Sequence, residues 1–221
     1  MTQKQNTVAI IDYGSGNIRS AAKAFEHIIA ENQLDFDVLV TSNADDLSKA
    51  SHIVLPGQGA FGDCMNGLKA VDSMITELEK AVLEEKKPFL GICVGMQLLA
   101  NKGYEYGEHE GLGWIEGEVV PIQPSDKSLK IPHMGWNLTR FNQGTDAPFL
   151  INQQKDGAYF YFVHSFMFES KDRANIYAVA DYGGELTAIV AKDNILGVQF
   201  HPEKSQEAGL TLLQDFLLWN P

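Results

Sequence analysis

Short apolar runs alternating with stretches of helical period constrain the fold of this chain more than any other feature. Thr7–Asp12 is an apolar run turned by Gly14-Ser15-Gly16, and Ile18–Ile29 follows with Ile18, Ala21, Ala22, Phe25, Ile28 and Ile29 at helical spacing. Phe36–Val40 and His52–Leu55 are further strands, the second closed by Pro56-Gly57-Gln58-Gly59. Leu68–Leu83 is helical by pattern, and Pro88–Ile92 is a fourth strand. Parallel strands need a crossover, usually a helix, so this alternation predicts an α/β fold: an open, mostly parallel sheet with helices on both faces.

The pattern changes after about Gly113. Trp114–Ile122, Gly135–Phe141, Ala158–Val163, Asn175–Asp181, Leu186–Val190 and Ile195–Phe200 look like strands, separated by turn residues at Asp156-Gly157, Gly183-Gly184 and Asp193-Asn194. They predict an antiparallel extension of the same sheet in the C-terminal half. Gln206–Trp219 closes the chain as an amphipathic helix. With no long polar linker or internal repeat, residues 1–221 are expected to form one domain.

Charge narrows the partners. The 17 Lys and Arg residues face 29 Asp and Glu, a net charge of −12, which disfavours a phosphate backbone or an anionic membrane. The two cysteines, Cys64 and Cys93, make neither a disulfide framework nor a C-x-x-C metal or redox pair. Met1–Asn6 lacks the basic-then-apolar pattern of a secretory signal. The longest apolar run, Pro88–Ala100, is too short to span a bilayer. A cytoplasmic, reduced protein is the expectation.

The sharpest chemical signal is Gly91-Ile92-Cys93-Val94-Gly95, where an apolar strand runs into a helical pattern. This is a strand–nucleophile–helix elbow with cysteine in the place of serine, and its glycines clear room for a tight turn. Cys93 is thereby expected at a helix N-terminus, where backbone N–H groups favour an anion. Cys64 lacks such a frame and is expected to pack. Among six histidines, His201 stands apart: it follows the strand Ile195–Phe200, and Pro202-Glu203 places a carboxylate two residues on. Strand ends are where open α/β sheets carry their chemistry. His27 lies in the first helix, His52 opens a strand, and His109 in Glu108-His109-Glu110 is expected to be solvated. Cys93, His201 and Glu203 are together the parts of a Cys-His-Glu triad. The glycines of Pro56-Gly57-Gln58-Gly59 would let backbone N–H groups approach an oxyanion. Gly14-Ser15-Gly16-Asn17-Ile18-Arg19 fails as a dinucleotide fingerprint because Arg19 holds the third glycine position, and neither a cofactor nor a metal is expected.

With these motifs on view, the chain resembles the class I (triad) glutamine amidotransferases, whose fold is flavodoxin-like. The match is Gly91-Ile92-Cys93-Val94-Gly95-Met96-Gln97, His201-Pro202-Glu203 and Pro56-Gly57-Gln58-Gly59, and it covers most of the chain. Within that class it is similar to the glutaminase subunits of imidazole glycerol phosphate synthase through Ile11–Asn17, Ile131–Asn137 and Tyr161–Ser165. The resemblance implies that Cys93 attacks the side-chain amide of glutamine, with His201 as base and then acid and Glu203 orienting it. Ammonia would pass to a (β/α)8-barrel cyclase in histidine biosynthesis. It further implies that Gln97, Glu105, His164 and Ser165 hold glutamine, with Glu108 the alternative acid. Gly57 and Gln58 would supply an oxyanion-hole peptide that rearranges on activation. Asn17, Trp136 and Asn137 would face the partner, with His133 in the same patch. Three alternatives stay open on the residues: another free-standing class I glutaminase, a cysteine peptidase on a related fold, and an interaction module with a dead triad.

Overall fold

The computed structural model describes residues 6–142 and 157–221. Met1 to Gln5 and Asp156 of the expected Asp156-Gly157 turn lie outside them. The parallel part is built from β1 (Asn6–Ile11), β2 (Phe36–Thr41), β3 (His52–Gly57) and β4 (Phe89–Cys93). Helix α1 (Ile18–Glu31) connects the first pair, and α2 (Phe61–Ala70) and α3 (Met74–Glu79) lie between β3 and β4. After the elbow come α4 (Val94–Gln97), the two-residue strands β5 (Lys102–Gly103) and β6 (His109–Glu110), and β7 (Gly117–Pro121). The C-terminal half adds β8 (His133–Phe141), β9 (Ala158–His164), β10 (Phe166–Ser170), β11 (Ile176–Asp181), β12 (Glu185–Lys192), β13 (Ile195–Val198) and α5 (Gln206–Leu218).

Nine strands form one sheet in the order β2-β1-β3-β4-β13-β12-β11-β8-β9. The first five are mutually parallel and the rest pair antiparallel. Every residue of β3, β4 and β13 is buried, as central strands covered on both faces should be. The core continues outward through Phe25 of α1 against Phe216 of α5, with ring centroids 6.3 Å apart. None of the described helices is long and apolar enough to cross a membrane.

Three expectations need correction. The Trp114–Ile122 run does not extend the main sheet: β7 belongs to a second, four-stranded sheet, β10-β7-β5-β6. Alternating burial cannot say which sheet a strand joins, and two-residue strands have no periodicity to detect. The single helix expected over Leu68–Leu83 is broken at Ser73, which adopts φ 57°, and it ends in a π-helical turn over Lys80–Glu84. Strand β3 also continues through Pro56 and Gly57, so Pro56 lies inside the sheet rather than after it.

Candidate active site

The parallel register places Gly57 of β3 beside Cys93 of β4, and β13 runs on the other side of β4. Neighbouring strand ends thus deliver the Gly57-Gln58-Gly59 turn, the elbow and the His201 segment to one edge of the sheet. Cys93 takes φ 55° and ψ −111°, a backbone conformation that a non-glycine residue holds only when its surroundings enforce it. The two elbow glycines leave room for the tight turn that imposes it. A Cβ on Gly91 would stand 2.6 Å from the Gly95 carbonyl oxygen, and one on Gly95 would overlap the Leu55 carbonyl oxygen. Helix α4 is a single turn, so the helix field at Cys93 is that of one turn, weaker than the expected full helix would supply.

His201 is pinned through its backbone. Its N–H donates to Tyr161 O at 2.9 Å, and its carbonyl accepts from Ser205 Oγ at 2.6 Å. The Ser205 hydroxyl oxygen in turn accepts from Tyr161 N at 3.0 Å. Pro202 opens a short 3-10 turn that carries Glu203 back beneath the ring. His201 Nδ1 lies 2.9 Å from Glu203 Oε1, with both side chains almost fully buried. Glu203 Oε2 has no hydrogen-bond partner. Burial alone would lower the His201 pKa, but the hydrogen bonds to Cys93 and Glu203 and their charges outweigh it and lift it to about 9. At neutral pH the imidazole is therefore protonated. An imidazolium can only donate, so the Cys93 sulfur it faces is the acceptor.

A cavity of about 370 Å³ opens over this group, and its lining includes Gln58, Cys93, Gln97, Glu105, His164, Ser165 and His201. Glu105 reaches it from one rim, with Oε2 accepting the Phe61 N–H at 3.0 Å. Glu108 instead forms an exposed ion pair with Lys102. Gln97 is buried, and its Nε2 donates to Phe166 O and Gln199 Oε1, each at 3.1 Å. Both amide hydrogens are thus engaged within the chain, leaving only its oxygen for a ligand. Gln58 O accepts from Ser15 Oγ at 2.5 Å and from Cys64 Sγ at 3.4 Å. Tyr13 Oη donates to Pro56 O at 2.7 Å. Cys64, expected only to pack, therefore also holds the loop that carries Gly57 and Gln58, and burial raises its thiol pKa.

Several site residues sit differently from expectation. His133 is buried rather than on a surface patch. His164 Nδ1 donates to Phe166 O at 2.8 Å. Because a carbonyl only accepts, the hydrogen is on Nδ1, and His164 Nε2 accepts from His133 Nδ1 at 2.9 Å. Asn137 Nδ2 then donates to His133 Nε2 at 3.2 Å and to Asp181 O at 2.8 Å, so its amide hydrogens face inward. Burial pushes the pKa of His133 down to about 4 and that of His164 to about 3. Asn17 caps α1 without a side-chain bond and turns its Nδ2 to Glu203 Oε1 at 3.4 Å. Trp136 is 47% exposed, beside Met134 at 61%, with its ring edge-on to Tyr161 at 6.2 Å. The His109 ring packs over Gly62, since a Cβ there would meet it at 2.7 Å. It is not simply solvated.

Sequence reasoning missed Gln199, which is fully buried with Nε2 donating to Cys93 Sγ at 3.8 Å. The available signal was an amide two residues before His201 in an otherwise apolar run, where alternate residues share a face. Pro132, Tyr106 and Lys204 also line the cavity. Among the described residues, no group of three or more His, Cys, Asp or Glu side chains is placed to hold a metal ion.

Comparison with known proteins completes the picture. The family model described as glutamine amidotransferase class-I matches residues 9–219. The imidazole glycerol phosphate synthase subunit HisH of Zymomonas mobilis is 51% identical over 219 residues, 99% of each chain. That of Rhodospirillum rubrum is 50% identical over 97% of this chain and 99% of its own. A crystal structure described as a glutamine amidotransferase superposes over 96% of this chain and 97% of its own, with TM-score 0.68 at 17% identity. A second, from Thermotoga maritima, covers 90% of this chain and 76% of its own, with TM-score 0.61 at 20% identity; both bear on the fold. An elbow cysteine facing a buried His-Glu pair, near full-length identity of about half to the HisH subunits, and a family match across almost every residue lead to one conclusion: the chain belongs to the class-I glutamine amidotransferases.

Proposed function

We propose that this chain, acting as one domain, is the glutaminase subunit of an imidazole glycerol phosphate synthase in the cytoplasm. It would hydrolyse glutamine and deliver ammonia to a (β/α)8-barrel cyclase in histidine biosynthesis. The observation that carries the proposal is the strained Cys93 facing the buried His201–Glu203 pair at the floor of a cavity of about 370 Å³. Cys93 Sγ attacks the side-chain carbonyl carbon of glutamine, and the carbonyl electrons move onto oxygen. The Gly57–Gln58 peptide is assigned to that oxyanion, a donor typically worth about 3 kcal/mol. As the tetrahedral species collapses, His201 gives its Nε2 proton to the departing nitrogen, which leaves as ammonia. Water then attacks the thioester while His201 takes its proton, releasing glutamate and returning the sulfur. Glu203 accepts from Nδ1 throughout, fixing tautomer and ring.

Glu105, His164, Ser165 and the Gln97 oxygen are assigned to glutamine. Trp136 and Met134 supply exposed apolar area for the partner, the type of residue that anchors interfaces. Asn17 joins them by position, with its side chain coupling that edge to Glu203, and Asn137 buttresses the strand from behind. The test is nitrogen-source dependence in the assembled complex. Cys93→Ala is expected to abolish glutamine-dependent cyclisation and to leave the ammonia-dependent reaction intact. Loss of both, or retention of both, would contradict the assignment.

A further inference from the structure

The fully buried amide of Gln199 has no place in the chemistry above, yet its orientation is dictated atom by atom. Phe166 O can only accept, so the group Gln97 turns toward it is Nε2. That nitrogen's second hydrogen must then go to an acceptor, which fixes the atom 3.1 Å away as Gln199 Oε1. With its oxygen committed, Gln199 can point only Nε2 at Cys93 Sγ, 3.8 Å away. The asymmetry of one backbone carbonyl is thus relayed through two side-chain amides to the sulfur.

We propose that Gln199 is a positioning residue for Cys93, presenting an N–H to its sulfur, and that Gln97 keeps that N–H from flipping away. The proposal rests on the assignment of Cys93 as nucleophile and deepens it. A sulfur that accepts from both the His201 ring and Gln199 Nε2 is held from two sides, and its anionic form gains a donor where a flipped amide would present an opposing oxygen. Donors fixed before reaction act without reorganisation at the moment of attack. The relay also gives Gln97 a second task beside its assigned contact with glutamine.

The experiment follows iodoacetamide alkylation of Cys93 against pH in the full-length chain, with peptide mass spectrometry separating it from Cys64. Steady-state glutamine hydrolysis is measured in the complex. In Gln199→Met the midpoint of the Cys93 alkylation profile is expected to move to higher pH. Glutaminase kcat is expected to fall about tenfold, as for loss of a modest hydrogen bond to a charged group, with KM changing less than about twofold and Cys64 alkylation unchanged. Gln199→Glu, which keeps the shape but turns oxygen toward sulfur, is expected to shift the profile further, and it carries the test if the methionine variant does not fold. Folded variants with an unmoved midpoint, or a raised KM with unchanged kcat, would overturn the positioning role while leaving the nucleophile in place. Alkylation of wild-type Cys93 no faster than Cys64 would instead remove the nucleophile assignment, and this inference with it.

Discussion

Replacing Glu203 with glutamine removes a charge while leaving an oxygen where His201 Nδ1 can still donate. His201 is held at about 9 in place of 6.5, a difference equivalent to about 3 kcal/mol favouring the protonated ring. Cys93 and Glu203 share that effect against the burial that opposes it. An opposite charge at hydrogen-bond distance typically accounts for about 1 to 3 pH units, so Glu203→Gln should lower the His201 midpoint by about 1 to 2. At pH 7 much of the imidazole remains protonated and its tautomer is preserved, so kcat/KM should fall about tenfold. His201→Ala, which removes the proton donor altogether, should cost about 100-fold or more. The distinction sharpens with pH: the alkaline limb of the kcat/KM profile should move to lower pH in Glu203→Gln. Because the folded value is raised, the stabilisation is fully present below about 6.5 and is lost as pH rises through about 9. Wild-type stability should therefore decline more between pH 7 and 10 than that of Glu203→Gln. The assay is NMR titration of the labelled His201 ring beside the pH–rate profile. An unmoved His201 midpoint, or equal losses for Glu203→Gln and His201→Ala in folded proteins at every pH, would refute the reasoning.

Other expectations follow from the same geometry. Gly95→Ala drives a methyl into the Leu55 carbonyl with only backbone to yield, and should cost about 3 kcal/mol in urea unfolding; a variant of wild-type stability would show that the elbow has slack. His133 and His164 fold neutral, at about 4 and about 3, so an unfolded state that protonates near 6.5 binds more protons and stability falls as pH drops below that value. Each should add about 1.4 kcal/mol per pH unit to the acid slope, and urea midpoints at pH 7, 5.5 and 4.5 should decline less in His133→Asn. An unchanged slope there would contradict the neutral buried pair. Trp136→Ala should weaken partner binding with little effect on the stability of the isolated chain, checked by titration calorimetry and thermal melting, and a large loss of stability would instead make the ring a packing element.

The elbow was legible because its constraint is steric and shows in residue type: Gly91 and Gly95 stand where a backbone carbonyl, that of Gly95 and that of Leu55 respectively, leaves no room for a side chain. The parallel strands were legible for a similar reason, each being an apolar run between turn residues, and the helix pattern of α1 matched its buried Ala21, Ala22, Phe25 and Ile28. What could not be read was set by distant partners. Whether Trp114–Ile122 joined the main sheet depended on Phe166–Ser170, which pairs with it from far along the chain. The burial of His133 depends on His164, opposite it on β9. Asn17 was expected at the partner face by resemblance alone, and its amide turns to a carboxylate nearly the length of the chain away. Gln199 stood in plain view beside His201, but the two bonds that orient it belong to Gln97 and Phe166.

The most direct test of the account is glutamate release from glutamine by this chain alone, and with the barrel cyclase and its nucleotide ligand, each beside a Cys93→Ala control. Weak release alone, rising strongly with the liganded partner and absent in the control, is the predicted result. Strong release without the partner, or release that survives Cys93→Ala, would contradict it.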